Sequence, residues 1–214
     1  MVDVQMESLR ARSVKLAAAA RSLKRHAKIS APFSLAFLTD RIRALHPEII
    51  ARAMPKGTAI ILRDYDWPER NALARRLKAI CQRRGLYLLI AADLDLAEAV
   101  DADGVHFPSW FKARRTIPAS MIMTVACHNE QDLTQAGECG ADLALLSPVY
   151  PTASHPGAHT LGPAKFKALS LSAHIPVMAL GGVHEENAAA LMGPNTIGLA
   201  AISAFFRGSE TRQQ

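Results

Sequence analysis

Pro-Val-Met-Ala-Leu-Gly-Gly-Val-His at residues 176–184 and Ile-Gly-Leu-Ala-Ala-Ile-Ser-Ala at residues 197–204 are the two stretches that decide the fold. Each is a short apolar run ending in small residues, where a parallel strand is expected to meet a helix. Glycine lets a backbone approach a ligand closely, and free N–H groups at a helix start attract anions. Two such ends in series, as the last strands of a (β/α)8 barrel, form the phosphate site of that fold. The pair therefore predicts a barrel that binds a small phosphorylated molecule, with a simple tight turn at Gly181 and Gly182 as the alternative.

The rest of the chain alternates short apolar runs with amphipathic stretches, which is typical of a parallel sheet with crossover helices. Eight strands are predicted, at 34–39, 58–63, 86–91, 104–107, 121–127, 143–147, 176–180 and 197–202. Helices are predicted near 46–54, 68–84, 94–100, 129–138, 163–171 and 185–192. A compact (β/α)8 TIM barrel is the simplest use of eight strands. A doubly wound open sheet is the alternative, although no glycine-rich turn follows the first strand.

The N-terminal segment is predicted to be a basic amphipathic helix over residues 1–30, before a barrel at 31–208 and a polar tail at 209–214. Leu9, Leu16 and Leu23 recur every seven residues and give this helix one apolar face. Little chain remains after the eighth strand, so we expect a shortened eighth helix. The N-terminal helix is expected to cover part of the groove that this shortening leaves, because the groove would otherwise expose apolar surface.

The charge of the chain is unevenly distributed along the sequence. Residues 1–30 hold seven Lys or Arg against Asp3 and Glu7, so they carry +5 of the net charge of +6. The remaining body is near neutral and has few aromatic residues, so we expect no nucleic-acid partner. The N-terminal apolar stripe lacks large aromatics, so we expect no membrane binding. Three cysteines without metal-type spacing, and no apolar leader, favour a cytoplasmic protein.

Several segments together resemble the thiamine phosphate synthase/TenI family of compact barrels. The resemblance runs from about residue 35 to 206, and its most specific part is the Pro-Val-Tyr-Pro-Thr loop followed by the two phosphate turns. The matching segments are Leu-Thr-Asp (38–40), Arg63, Ala-Asp-Gly-Val-His (102–106), His128, Gly-Ala-Asp (140–142), Ser-Pro-Val-Tyr-Pro-Thr (147–152), Gly181-Gly182 and Ile202-Ser203-Ala204.

The resemblance implies a barrel mouth with two subsites. The family's synthase joins a pyrimidine methyl pyrophosphate to a thiazole ethyl phosphate, with magnesium, and releases pyrophosphate. The side that would bind the thiazole phosphate is largely intact and comprises Thr152, Ser154, Gly181, Gly182, Ile202 and Ser203. Arg63 and His155 are the residues that remain of the pyrimidine side.

The pyrimidine side departs from the family pattern. Tyr65 stands where the family has a pyrophosphate-binding lysine, and Ala92 and Phe111 stand where it has two magnesium aspartates. Asp93 is one position away from the lost ligand, which places its side chain on the opposite face of an extended strand. We therefore expect no metal site and no cofactor, with magnesium relevant only if a synthase activity survives.

TenI-like members share the fold, and the activity that the resemblance implies for them is tautomerisation of a thiazole carboxylate phosphate. Such a reaction moves a proton, and histidine is the side chain suited to accept and return one near neutral pH. His128, at the family position of the TenI histidine, is the candidate catalytic residue. A diverged thiamine phosphate synthase and a non-catalytic phosphate-binding protein are the two alternatives. We expect a small phosphorylated heterocycle as ligand and a homodimer as assembly.

Overall fold

Eight parallel strands form a closed barrel in the order in which they occur in the chain. The computed structural model of the chain describes residues 2–43, 46–109, 116–152, 157 and 159–205. The strands are Leu35–Leu38 (β1), Ala59–Leu62 (β2), Tyr87–Ala91 (β3), Gly104–Phe107 (β4), Ile122–Cys127 (β5), Leu143–Leu146 (β6), Val177–Leu180 (β7) and Thr196–Ala201 (β8). Strand β1 pairs with β8 as well as with β2, which closes the sheet. The predicted TIM barrel is confirmed, and the open-sheet alternative is wrong.

Helices pack around the outside of the barrel. They are Val2–Ala27 (α1), Pro47–Ala53 (α2), Arg70–Arg84 (α3), Leu94–Ala99 (α4), Glu130–Glu138 (α5) and Gly162–Ser172 (α6). The helix predicted near 185–192 is instead a short 3₁₀ turn, Ala188–Leu191. Gly193 and Pro194 follow this turn directly and do not continue a helix, so the segment ends after a few i→i−3 hydrogen bonds.

Alternate strand residues point to the two sides of the sheet, as the two-residue period of a strand requires. One set packs together inside the barrel and includes Leu38, Ile61, Leu89, Leu145 and Met178. The other set packs outward against the helices, so the barrel is filled by side chains and is sealed below its mouth. Functional groups can therefore gather only at the ends of the strands.

Helix α1 covers the outer face of the barrel where β8 meets β1. Leu16 and Leu23 are fully buried there, and Leu9 is 9% exposed. The Ser13 hydroxyl donates to the Leu9 carbonyl at 2.8 Å, so this buried polar group is satisfied within the helix. The predicted packing of the N-terminal helix through its three leucines is confirmed. The element after β8 is a three-residue 3₁₀ turn, Ser203–Phe205, so α1 takes the place of an eighth helix in the described part of the chain.

Within the described residues, none of the helices combines the length and the apolar character needed to cross a membrane.

Candidate functional site

His128 follows the last residue of β5 and is held at two points. Its ring atom Nδ1 lies 2.9 Å from the carbonyl oxygen of Ser147, at the end of the neighbouring strand β6. A carbonyl oxygen can only accept, so Nδ1 carries the proton and Nε2 of the neutral ring is the free base. The main-chain N–H of His128 donates to the carboxylate of Asp132 at 2.7 Å. The imidazole is therefore fixed in one tautomer while its side chain remains exposed.

The start of α5 supplies the second of these contacts. Asn129 is the N-cap residue, and its side-chain oxygen accepts the N–H of Asp132 at 2.9 Å. Asp132 in turn accepts the N–H of His128, the residue before the N-cap, so the start of the helix and the main chain of His128 are held together. The sequence analysis did not predict this contact. The Asn-x-x-Asp spacing at 129–132, a helix-start pattern, is the signal that marks it.

Gly181 and Gly182 end β7 with backbone angles that favour glycine, at φ +94° and +65°. A Cβ atom on Gly182 would lie 2.6 Å from the Pro151 carbonyl oxygen and 2.7 Å from the Tyr150 Cβ. A Cβ on Gly181 would lie 2.9 Å from the Pro148 Cα. Both glycines are thus required by the close approach of the loop after β6 as well as by their φ angles.

Asn187 braces the turn that contains these glycines. Its side-chain amide donates to the Gly182 carbonyl at 3.0 Å, and its side-chain oxygen accepts the His184 N–H at 2.8 Å. The Tyr150 hydroxyl donates to the Asn187 carbonyl at 3.3 Å, which ties the turn to the loop after β6. Asn187 and Tyr150 are therefore further structural supports of the predicted phosphate turn. The sequence reading did not single them out for this purpose.

Strand pairing gathers the other predicted residues at the same edge. Cys127 pairs with Leu146, Leu146 with Ala179, and Leu180 with Ala200, so the ends of β5, β6, β7 and β8 are neighbours. Ile202 is buried, Ser203 begins the final 3₁₀ turn, and Thr152 is half-buried after β6. We call His128, Thr152, Gly181, Gly182, Ile202 and Ser203 the backbone edge. Ser154, His155 and Phe111, which the sequence analysis also named, lie outside the described residues.

Arg63, the predicted pyrimidine-side residue, ends β2 on the other side of the mouth and is ion-paired. Its guanidinium lies 2.9 Å from the Asp40 carboxylate, which is only 6% exposed and also contacts Arg43. Burial raises the pKa of Tyr65, while Arg63 and Arg70 oppose that shift, so the Tyr65 phenol lies within the field of both guanidiniums. Tyr65 thus places a neutral hydroxyl beside cations that already have partners.

The end of β3 is closed by a second ion pair. Arg70 donates to the Asp93 carboxylate at 2.9 Å and to the Ala91 carbonyl at 2.5 Å. Asp93 also caps α4 by accepting the Leu96 N–H at 2.9 Å. Ala92, between them, has φ +56°, a left-handed conformation that asparagine and aspartate tolerate better than alanine. We call Asp40, Arg43, Arg63, Arg70 and Asp93 the ion-pair edge.

These contacts test whether a divalent cation fits the ion-pair edge. Magnesium needs carboxylate or carbonyl oxygens in octahedral geometry, with water in the remaining positions. Asp40 and Asp93 each accept from a guanidinium, and Asp64 accepts the Thr39 hydroxyl and the Arg41 N–H. Within the part of the chain that the structure describes, no three His, Cys, Asp or Glu side chains are grouped so that they could hold a metal. The described residues of the ion-pair edge therefore do not fit a magnesium site.

His106 lies inside the barrel between the two edges. Its Nδ1 is 2.8 Å from the Thr124 hydroxyl, and the side chain is 2% exposed. Burial, together with the nearby Arg63 charge, lowers the pKa of His106 to about 3. His106 is therefore a neutral, packed side chain at physiological pH rather than an exposed acid or base.

A cavity of about 510 Å³ lies along the outer side of β5, between α5 and the residues that precede the strand. Phe107, Met123 and Ala136 contribute apolar side chains to its lining, and Asp132 and Gln135 contribute polar ones. The cavity lies against the helix that carries the Asp132 cap. It does not involve the phosphate turns, so we do not assign the heterocycle to it.

The fold and the backbone edge together define a class: a (β/α)8 barrel with glycine-built turns at the ends of its last strands, where such barrels bind phosphate. The sequence profile of thiamine monophosphate synthase matches residues 35–205. The chain belongs to this family, which is a family of thiamine biosynthesis.

Curated and solved relatives agree with this assignment. A putative thiamine-phosphate synthase of Geobacter sulfurreducens is 34% identical over 194 residues, covering 85% of this chain and 91% of that protein. A thiamine-phosphate synthase of Thioalkalivibrio sulfidiphilus is 32% identical, covering 73% of this chain and 78% of that protein. The structure of a thiamine phosphate pyrophosphorylase from Pyrococcus furiosus superposes with a TM-score of 0.69 at 26% identity, covering 79% of this chain and 85% of that one.

Proposed function

We propose that this protein binds a thiazole phosphate at the backbone edge and isomerises it, with His128 as the acid and base. The observation that carries the proposal is the hydrogen bond from His128 Nδ1 to the Ser147 carbonyl, at 2.9 Å. It leaves Nε2 unprotonated in the neutral ring, which is the form required of a general base. Asp132 holds the main chain of the same residue, so the ring is oriented before the ligand arrives.

The chemistry that we propose is a proton shift on the heterocycle. Nε2 of His128 accepts a proton from one ring position and returns it to another, so the imidazole is regenerated and the number of atoms is unchanged. The delocalised anion formed between the two steps has no metal to stabilise it. Its charge is instead offset by the imidazolium that forms beside it.

The phosphate group of the ligand is proposed to lie on the turns after β7 and β8. Backbone N–H groups near Gly181, Gly182, Ile202 and Ser203 would donate to its oxygens, and Thr152 and Ser154 would add hydroxyl groups. Such donors are neutral and pre-oriented, so they bind a monoester without requiring a metal. The bracing of the turn by Asn187 supports this role, because a preorganised site loses little entropy on binding.

A diverged thiamine-phosphate synthase is the second candidate, because relatives at 32–34% identity carry that name. It is the less favoured function, since Tyr65 and Ala92 have replaced a cation and a metal ligand and Asp93 is engaged by Arg70. A non-catalytic protein that only binds the phosphate ligand is the third.

One set of measurements separates the three functions. Calorimetric titration with thiazole phosphates, with and without magnesium and the pyrimidine pyrophosphate, measures binding, and NMR of the bound heterocycle measures isomerisation. We expect magnesium-independent binding and an isomerisation that His128→Gln slows by about 10²–10⁴-fold while the dissociation constant stays within about threefold. Ser172→Ala, an exposed hydroxyl at the end of α6, serves as the unaffected control. Binding without turnover in the unmodified protein indicates the non-catalytic function. Magnesium-dependent pyrophosphate release indicates the synthase.

A further inference from the structure

Two segments far apart in the sequence hold most of the positive charge of the chain. Residues 1–30 carry a net +5, and helix α3 has six Lys or Arg and no acidic residue. Because the whole chain carries +6, everything outside these two segments sums to −5. From the sequence alone we expect no nucleic-acid partner, because the positive charge is assigned to an N-terminal arm and the rest of the chain is near neutral.

The fold places the two segments on one side of the barrel. Helix α1 contacts α2, and α2 contacts α3, so the three helices lie side by side. Arg76 of α3 is ion-paired with Glu48 of α2 at 3.0 Å, and Arg84 donates to the Met54 carbonyl at 3.1 Å. The N-terminal helix is therefore part of the body, and its charge adds to that of α3.

The exposed cations of α1, α2, α3 and the turn after α2 lie on three helices that are neighbours in the fold, and we call this set the basic flank. It consists of Arg10, Lys15, Arg21, Arg25, Lys28, Arg52, Lys56, Arg75, Arg76, Arg83 and Arg84. The described side chains of the same three helices include only two carboxylates, Glu7 and Glu48, and Arg76 already contacts Glu48. The flank is thus a concentrated positive surface with little internal neutralisation.

We propose that the basic flank binds the phosphate backbone of nucleic acid without sequence preference. A duplex carries one negative charge per about 1.7 Å of its axis, so a surface whose cations are spread along three neighbouring helices meets phosphates in many registers. With 26 residues, α1 extends roughly 39 Å, about one turn of duplex. The three helices contain no Phe, Tyr or Trp, so the flank has no groups that stack on bases and contacts the backbone alone.

Other partners fit the flank less well. A membrane-binding helix inserts its apolar face, but Leu16 and Leu23 are buried against the barrel and unavailable for insertion. A second copy of this chain, docked through the same flank about a two-fold axis, would bring like charges together. Neither argument applies to a polyanion.

Fluorescence anisotropy with labelled 20-base-pair DNA and 20-nucleotide RNA of unrelated sequences tests the proposal. We expect both to bind, and the association constant to fall about 10³-fold between 50 and 200 mM salt, which corresponds to five or six phosphate contacts. The variants Arg21→Glu/Arg25→Glu and Arg75→Glu/Arg83→Glu should each weaken binding at least tenfold and reduce the salt slope by about 2. The substituted side chains are exposed, and thermal melts of each variant confirm that the fold is retained.

The matched control is Lys165→Glu/Lys167→Glu on α6, which changes the net charge by the same amount outside the basic flank. It should leave binding within about threefold. Equal loss in the control and the flank variants would show that only net charge matters, and would overturn the proposal. Absence of binding to both nucleic acids overturns it as well, and so does binding only to vesicles of anionic lipid.

Discussion

The backbone edge and the ion-pair edge of the barrel mouth are made from different parts of the chain. Gly181 and Gly182 shape their turn through φ angles and close contacts, and hydrogen bonds to main-chain atoms hold it in place. The ion-pair edge consists of charged side chains that neutralise one another, as Arg63 does with Asp40 and Arg70 with Asp93. A site made of backbone is insensitive to most substitutions, whereas a few side-chain changes suffice to remove a metal site. We therefore expect the backbone edge to tolerate sequence divergence better than the ion-pair edge.

The largest expected effect concerns the reaction that the ion-pair edge would have to support. We predict that magnesium-dependent thiamine phosphate synthesis is at least ~10⁴-fold slower than in a synthase that keeps the lysine and both aspartates, because each such electrostatic group is worth roughly 3–4 kcal/mol. The effects of the three substitutions are not additive, so the combined loss of rate is smaller than their product, but it remains large. A steady-state assay with both substrates and excess magnesium measures it. Robust pyrophosphate release that Asp93→Ala abolishes would show that a metal site has been rebuilt.

The backbone edge should depend on glycine itself. We predict that Gly182→Ala lowers the free energy of unfolding by about 3–4 kcal/mol, from left-handed strain together with overlap with Pro151 and Tyr150. Gly140 is the matched control, since its φ is +77° but a Cβ there meets nothing within 4 Å. Gly140→Ala should cost only the strain, about 1–2 kcal/mol. Denaturant unfolding of both variants checks the difference, and equal losses would contradict the close-contact explanation.

The Arg70–Asp93 pair should now have a structural role. Asparagine caps a helix as well as aspartate does, so Asp93→Asn removes the ion pair while keeping the cap on α4. We predict a loss of about 2 kcal/mol in unfolding free energy, since Arg70 is nearly buried and keeps only its contact with Ala91. Asp66→Asn, an exposed neighbour on the loop after β2, should change stability by less than about 0.5 kcal/mol. Thermal denaturation compares the two, and an unchanged Asp93→Asn melting curve would argue against the pair.

The effect that is smallest at neutral pH concerns His106, between the edges, because it develops only as the pH falls. Its folded pKa of about 3 lies below the ordinary histidine value, so the unfolded chain binds a proton that the folded chain does not. Above pH 6.5, His106 does not change the pH dependence of the free energy of unfolding. As the pH decreases from about 6.5 towards 3, that free energy falls by about 1 kcal/mol per pH unit. His106→Gln, which can keep a hydrogen bond to Thr124, should make the decline shallower between pH 6.5 and 4.5. Parallel pH profiles for the two proteins would contradict this.

Much of the fold could be predicted from the sequence, because strands and amphipathic helices leave short-range patterns of apolar residues. The eight apolar runs matched the eight strands, and Leu9, Leu16 and Leu23 identified the buried face of α1. The segment at 185–192 was wrongly predicted to be an α-helix, because its apolar periodicity was given more weight than the Gly193-Pro194 pair that ends it. Asp93 could be identified as displaced from the family's ligand position, but its pairing with Arg70 could not.

The sequence by itself determined the barrel, the glycine turns and the loss of the family's charged residues, since each depends on residue type at a fixed position along the chain. Only the tertiary structure decided how the charges combine. The partners of Arg63 and Arg70 lie in the segments that follow β1 and β3, 23 residues away along the chain in each case. The tautomer of His128 depends on a carbonyl of the adjacent strand, 19 residues away. The basic flank combines cations of α1 and α3. It depends on barrel closure, which places α1 beside α2, and α2 in turn contacts α3. Electrostatic interactions act through space, so they follow from the folded arrangement and not from order along the chain.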